Sequence, residues 1–231
     1  MQGCKWIAKG ITQNQTLESL NIKGNMIGDD GLTLLAESFK DAPNLTYLDI
    51  SLNEIGPAGF QALCEVLPDS NITNLVCNKN FLGDDVMAYF ANILADPNSS
   101  GQLKKFDFSS CRLNDAGLIY IINALQNNKN INQIRLTDNF FSENVEAALL
   151  ETLNKNISLT EIALSGNRFS HSCLSKIKKI TQRNLKMIEE HEPNKLKAEI
   201  YRLRYEHQKL DQAKSLLNSQ QHEIEKVKKY R

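Results

Sequence analysis

Two pairs of adjacent carboxylates, Asp29 with Asp30 and Asp84 with Asp85, have the residue type and spacing that could serve general acid–base chemistry. Both pairs stand at the same place in the sequence pattern, just ahead of an apolar run of helical period. Carboxylates there accept hydrogen bonds from the free amides of a helix N-terminus, so capping is the expected role. The four histidines, His171, His191, His207 and His222, all lie in the tail region from residue 171 on and form no HExxH pattern. His191 and His207 are 16 positions apart, more than about 20 Å along a helix, too far to share a metal. The five cysteines, Cys4, Cys64, Cys77, Cys111 and Cys173, are scattered without a CxxC pair, unlike a disulfide framework or a zinc site. There is no nucleophile triad, no GxGxxG after a strand and no GxxxxGK[ST] loop. The chain is therefore expected to be noncatalytic, with no cofactor. Asn-x-Ser/Thr sequons at Asn14, Asn44, Asn71, Asn98 and Asn156 are weak evidence for glycosylation in an Asn-rich chain lacking a visible secretion signal.

The elements that must hold these residues follow from an internal repeat. Asn25, Asn53, Asn80, Asn139 and Asn167 fall in one register with Cys111, at intervals of 28, 27, 31, 28 and 28 residues. An apolar frame precedes each one, as in Leu45, Leu48, Ile50 and Ile131, Ile134, Leu136. Beyond each column position comes a small or β-branched residue (Gly31, Gly59, Val86, Gly117, Val145, Cys173), and apolar residues recur four and eight positions later, except Thr181 in the sixth unit. The first spacing suits a short strand and the second a helix. Six units of strand, turn and helix are predicted, strands aligned in one parallel sheet and helices stacked outside it.

The segments LESLNIKGNMIGDDG and LTYLDISLNEIGPAG carry this pattern and resemble leucine-rich repeats of the long, ribonuclease-inhibitor-like class. The expected fold is an α/β leucine-rich-repeat solenoid with a curved parallel sheet and outer helices, followed by an extended helical coiled-coil tail. Residues 1–175 form the solenoid, 176–193 a terminal helix and hinge, and 194–231 the coiled-coil segment. Gly3, Ile7 and Ile11 match the helical half of a unit, so the chain opens inside a repeat helix. Either a strand and a cap precede it, or another polypeptide covers Trp6 and its neighbours. The single long interval contains the turn-forming run Asp96-Pro97-Asn98-Ser99-Ser100-Gly101, predicted to project as a loop.

Strand side chains alternate, so residues between the core positions should face the concave surface. Tyr47, Asp49, Lys105, Asp107 and Arg135 are the candidates for binding a protein there. The surface has no basic stripe with interleaved aromatics, which argues against nucleic acid. No run of about 18 apolar residues exists to cross a membrane, and a cytoplasmic setting is expected. The chain's zero net charge hides two unlike parts: residues 1–170 carry 12 basic and 19 acidic residues (net −7), residues 171–231 carry 15 and 8 (net +7).

Past Pro193, Leu196, Leu203, Leu210, Leu217 and Ile224 recur every seven residues, a stripe at coiled-coil d positions. The a positions, Ile200, His207, Lys214, Gln221 and Lys228, are mostly polar, which favours a heteromeric coiled coil over a self-paired one. A repeat body joined to a coiled coil resembles ciliary and centrosomal scaffold proteins. That resemblance implies a tether with one protein partner on the repeat surface and another along the C-terminal helix, placed in the cytoplasm, a ciliary axoneme or a centrosome. The alternative is an inhibitor or regulator of a soluble enzyme held in the concave face.

Overall fold

The computed structural model describes residues 2–96, 102–191 and 209. By its contacts the chain divides after Leu185. Six three-residue strands, β1 (Ser19–Asn21), β2 (Tyr47–Asp49), β3 (Asn74–Val76), β4 (Lys105–Asp107), β5 (Gln133–Arg135) and β6 (Glu161–Ala163), form one parallel sheet in chain order. Its register joins the central apolar residues, Leu20 to Leu48 to Leu75 to Phe106 to Ile134 to Ile162. The long interval leaves the pairing of Leu75 with Phe106 intact. The loop expected at 96–101 lies, from 97 on, outside the described residues.

Helices α2 (Gly28–Ala36), α3 (Pro57–Val66), α4 (Asp85–Ala95), α5 (Asp115–Leu125) and α6 (Glu146–Lys155) return the chain along the outer face. They bury Leu35, Leu63, Phe90, Ile121 and Leu149, the helical positions of the repeat, against the strand leucines. The fold is a leucine-rich-repeat solenoid: a curved parallel sheet flanked by outer helices. Phe60, Phe90, Phe106 and Phe108 make a ring cluster across its middle coils, with centroids 4.8–5.8 Å apart and mostly edge-on.

Three positions beyond each strand, just before the Asn column, stands a left-handed residue: Gly24, Leu52, Lys79, Ser110, Asp138 and Gly166 all have φ between 54° and 74°. Four of the six are not glycine, so the coil geometry imposes a conformation that their types disfavour.

At one end α1 (Gln2–Gln13) stacks on α2, burying Cys4 and Ile11 and leaving Trp6 63% exposed. At the other, α7 (His171–His191) starts in the sixth coil and buries Cys173, Ile177, Ile180 and Asn184. Further along the same helix Ile188 is 36% exposed. Leu196, Leu203, Leu210, Leu217 and Ile224, with the predicted coiled coil, lie outside the described residues.

Candidate protein-binding surface

Three ladders of side-chain hydrogen bonds run from coil to coil and fix the surface between them. In the Asn column, Asn53 Nδ2 donates to Ile50 O in its own coil and to Ile22 O in the preceding one, both at 3.0 Å. Asn80 Oδ1 accepts from Asn53 N and Ile55 N, and Asn139 Oδ1 from Cys111 N and Leu113 N. Cys111 keeps half of this role, its thiol donating to Cys77 O at 3.2 Å, but has no carbonyl to accept with.

The carboxylates form the second ladder, and here the sequence-based expectation needs correction. Asp29 and Asp84 stand at the starts of α2 and α4, yet each holds the N-terminus of a helix one coil further on. Asp29 Oδ1 accepts from Gly56 N at 2.6 Å and Asp84 Oδ1 from Asn114 N at 2.7 Å. Asp115 does the same for Ser142 N at 2.7 Å, and Glu146 for Ser170 N and Oγ. A Cβ on Gly59 would lie 2.7 Å from Asp29 Cα, and one on Gly117 would meet the Asp84 carboxylate. Glycine there lets the helices close up and the carboxylate reach over. In coil two the equivalent position is Pro57, with no carboxylate, and the following helix carries Val86 instead of glycine. Sequence reading missed Asp115 and Glu146 because each bond joins residues 24–30 apart.

The third ladder absorbs two of the five sequons, Asn14 and Asn156. Asn156 is buried: its Oδ1 accepts from Ser158 N and Leu159 N, and its Nδ2 donates to Leu125 O and Asn128 O. Asn14 and Asn128 make the same turn, and Asn184 closes the row by donating to Asn156 O and Leu159 O. The hydroxyl residue two positions past Asn14 or Asn156 lies in a tight Asx-type turn, which gives these sequons a structural reason.

The concave face is left as two rows. The first strand positions give Ser19, Tyr47, Asn74, Lys105, Gln133 and Glu161, and the third give Asn21, Asp49, Val76, Asp107, Arg135 and Ala163. All five sequence candidates fall on these rows. Tyr47 and Asp49 share β2, Lys105 and Asp107 share β4, and Arg135 pairs with Asp107 in register. Partial burial, then the charges of Asp49 and Asp107, raise the Tyr47 phenol above its ordinary pKa. It is therefore a neutral donor facing two carboxylates. Asp49 is 6% exposed, its Oδ1 tied to Ser51 N at 3.0 Å. Asp107 Oδ1 accepts from Ser109 N at 2.9 Å, and Oδ2 from Asn78 Nδ2 at 3.3 Å. Arg135 Nη2 sits 3.1 Å from Glu161 Oε1 in an exposed pair that adds little stability. The arrangement offers partly solvated charges on a rigid sheet, suited to contacting a protein.

Of the carboxylates that suggested chemistry, Asp29 and Asp84 are engaged in holding helices. Among the described residues no cluster of three or more His, Cys, Asp and Glu could hold a metal, and no helix is long and apolar enough to cross a membrane.

Comparison with known proteins agrees with the repeat fold. The "Leucine Rich repeat" family pattern matches residues 13–36, 41–64 and 103–121. The chain is 26% identical over 156 residues to mouse ribonuclease inhibitor, covering 67% of this chain and 34% of that protein. It is 25% identical over 157 residues to human NACHT, LRR and PYD domains-containing protein 5, covering 66% of this chain and 13% of that one. The chain thus spans about a third or less of these two relatives. Among solved structures, the leiomodin-1 actin-binding site 2 has a TM-score of 0.53 at 10% identity, covering 83% of this chain and 94% of its own. The Caenorhabditis elegans tropomodulin C-terminal domain has a TM-score of 0.50 at 14% identity, covering 82% and 96%. These likenesses are of fold.

Proposed function

We propose that the chain is a protein-binding solenoid that inhibits or regulates a soluble partner held against its concave face. The observation that carries this is the clustering of Tyr47, Asp49, Lys105, Asp107 and Arg135 on two adjacent rows of one rigid sheet. The similarity to ribonuclease inhibitors of mouse and pig, named as inhibitors of an enzyme, supports the regulatory sense. Crosslinking mass spectrometry on the natively expressed protein is the test. A stoichiometric enzyme complex linked through Lys23 and Lys105, and lost when Tyr47, Asp49 and Arg135 are replaced together, is expected. A complex that survives the triple replacement overturns the reading.

A tether within a ciliary axoneme, a centrosome or another cytoplasmic assembly is the second reading. It is supported by the seven-residue spacing of Leu196, Leu203, Leu210, Leu217 and Ile224, the pattern of a heteromeric coiled coil. Crosslinks from Lys195, Lys197 and Lys214 to an axonemal or centrosomal protein, and from Lys105 to a different one, would mark a tether. Links from Lys105 to a soluble enzyme, with none from the C-terminal lysines to such an assembly, favour the inhibitor.

A further inference from the structure

One position past the Asn column, where each coil leaves the sheet for its helix, the chain presents Met26, Glu54, Phe81, Arg112, Phe140 and Arg168. All six are exposed, with Phe81 at 44% and Phe140 at 58%. They form one edge of the solenoid, beside the concave face and distinct from it. Two phenylalanines on consecutive odd coils, with an arginine between them, are not what a solvated turn requires; the polar residues of the neighbouring columns show what would serve. The guanidinium of Arg112 lies 4.2 Å over the Phe81 ring. Stacking uses the face of the guanidinium and leaves its in-plane N–H groups, the part that grips a carboxylate.

The aromatic residues are also rigidly mounted. Phe81 N donates to Ile55 O at 2.7 Å and Phe140 N to Leu113 O at 2.8 Å, each locking its turn to the preceding coil. Arg168 N is held likewise by Phe141 O at 2.9 Å. A partner meeting these side chains therefore orders little backbone, the condition under which aromatic and arginine residues dominate binding. Electrostatics selects the partner. Over its six coils this edge carries Lys79, Arg112 and Arg168 against Glu54 and Asp138, a small positive excess on a body whose first 170 residues are net −7 (12 basic, 19 acidic). The nearby acids Asp84 and Asp115 are spent on Asn114 N and Ser142 N.

We infer that the edge formed by Phe81, Arg112, Phe140 and Arg168 is a second docking surface, whose occupant is an acidic protein segment carrying aromatic or large aliphatic anchors. Apolar anchors cover the phenylalanine rings, and the intervening carboxylates meet Arg112 and Arg168. The surface does not depend on the concave-face reading, and either can fail alone.

The test is selection of a random dodecapeptide phage library on the immobilised full chain, followed by titration of the winning synthetic peptide. Enrichment of sequences placing Asp or Glu beside Trp, Phe or Leu is expected. The peptide should bind at least about tenfold more weakly to Phe81→Ser and Arg112→Glu, equally well to Tyr47→Ala, and less tightly as salt is raised. No enrichment over a blank surface, or enrichment of basic or uncharged sequences, overturns the inference. So does binding lost in Tyr47→Ala yet kept in Arg112→Glu. Circular dichroism checks folding; should Arg112→Glu melt early, Phe140→Ser with Arg168→Glu replaces it and must weaken the peptide as strongly.

Discussion

Asn139 shows how much one side chain holds in this solenoid. Its amide donates to Phe108 O and Leu136 O, its carbonyl accepts from Cys111 N and Leu113 N, and the residue is buried. Asn139→Ala removes the partner of four backbone groups at once and should destabilise by about 2–4 kcal/mol in urea denaturation. Asn25→Ala, at an exposed position, should lose about 1 kcal/mol or less. The cysteines give a pH signature. Burial raises the Cys77 thiol well above its ordinary pKa, and burial pushes the Cys111 thiol up to about 12. In the unfolded chain both ionise near their ordinary value of about 9. A raised folded pKa means that the folded state holds protons the unfolded state has released. Stability is therefore unaffected by these thiols well below about pH 9 and falls as pH rises above it, the Cys111 share continuing toward about pH 12. Urea titrations at pH 8, 9 and 10 should show this slope, made shallower in Cys111→Ala.

Between elements the decisive contact is the forward reach of a carboxylate over a glycine. Gly117→Ala would push its methyl into Asp84 and open the α4–α5 joint, at a loss of about 1–3 kcal/mol. Asp84→Ala removes the acceptor of Asn114 N and should lose about 1 kcal/mol. Because both changes break the same joint, the double variant should lose less than the sum, a coupling that thermal melts of the four proteins would measure. The same joint marks the boundary of what was legible beforehand. The apolar frame and its period of about 28 gave strands, helices and their order, because burial acts on each residue separately. The carboxylate and Asn ladders join residues a full coil apart, so residue type shows where they stand but not whom they meet. The left-handed turn at Leu52, Lys79 and Ser110 was hidden because its usual glycine signature is absent there. On the surface, Tyr47 and Asp107 stand at the first and third positions of their strands. Phe81 and Phe140 escaped notice, since an isolated Phe in a turn reads as nothing until neighbouring coils align it with Arg112.

Over the whole molecule, stability adds coil by coil through nearest-neighbour contacts. The aromatic cluster of Phe60, Phe90, Phe106 and Phe108 ties the middle coils together. Amide hydrogen exchange should accordingly be slowest in β3 and β4, and uniform protection along the described coils would contradict that. Phe106→Ala should cost about 3–5 kcal/mol and make protection collapse from the centre outward. The ladders also have a direction. The column amides of Asn53, Asn80, Asn139 and Asn167 donate backward, to a carbonyl of the coil already passed, and the carboxylates point forward, to an amide of the coil still to come. A ribosome delivers the chain in that same direction. Every coil leaving the exit tunnel finds the carbonyls it needs already in place, and for four of the coil junctions a carboxylate waiting to receive its first helical turn.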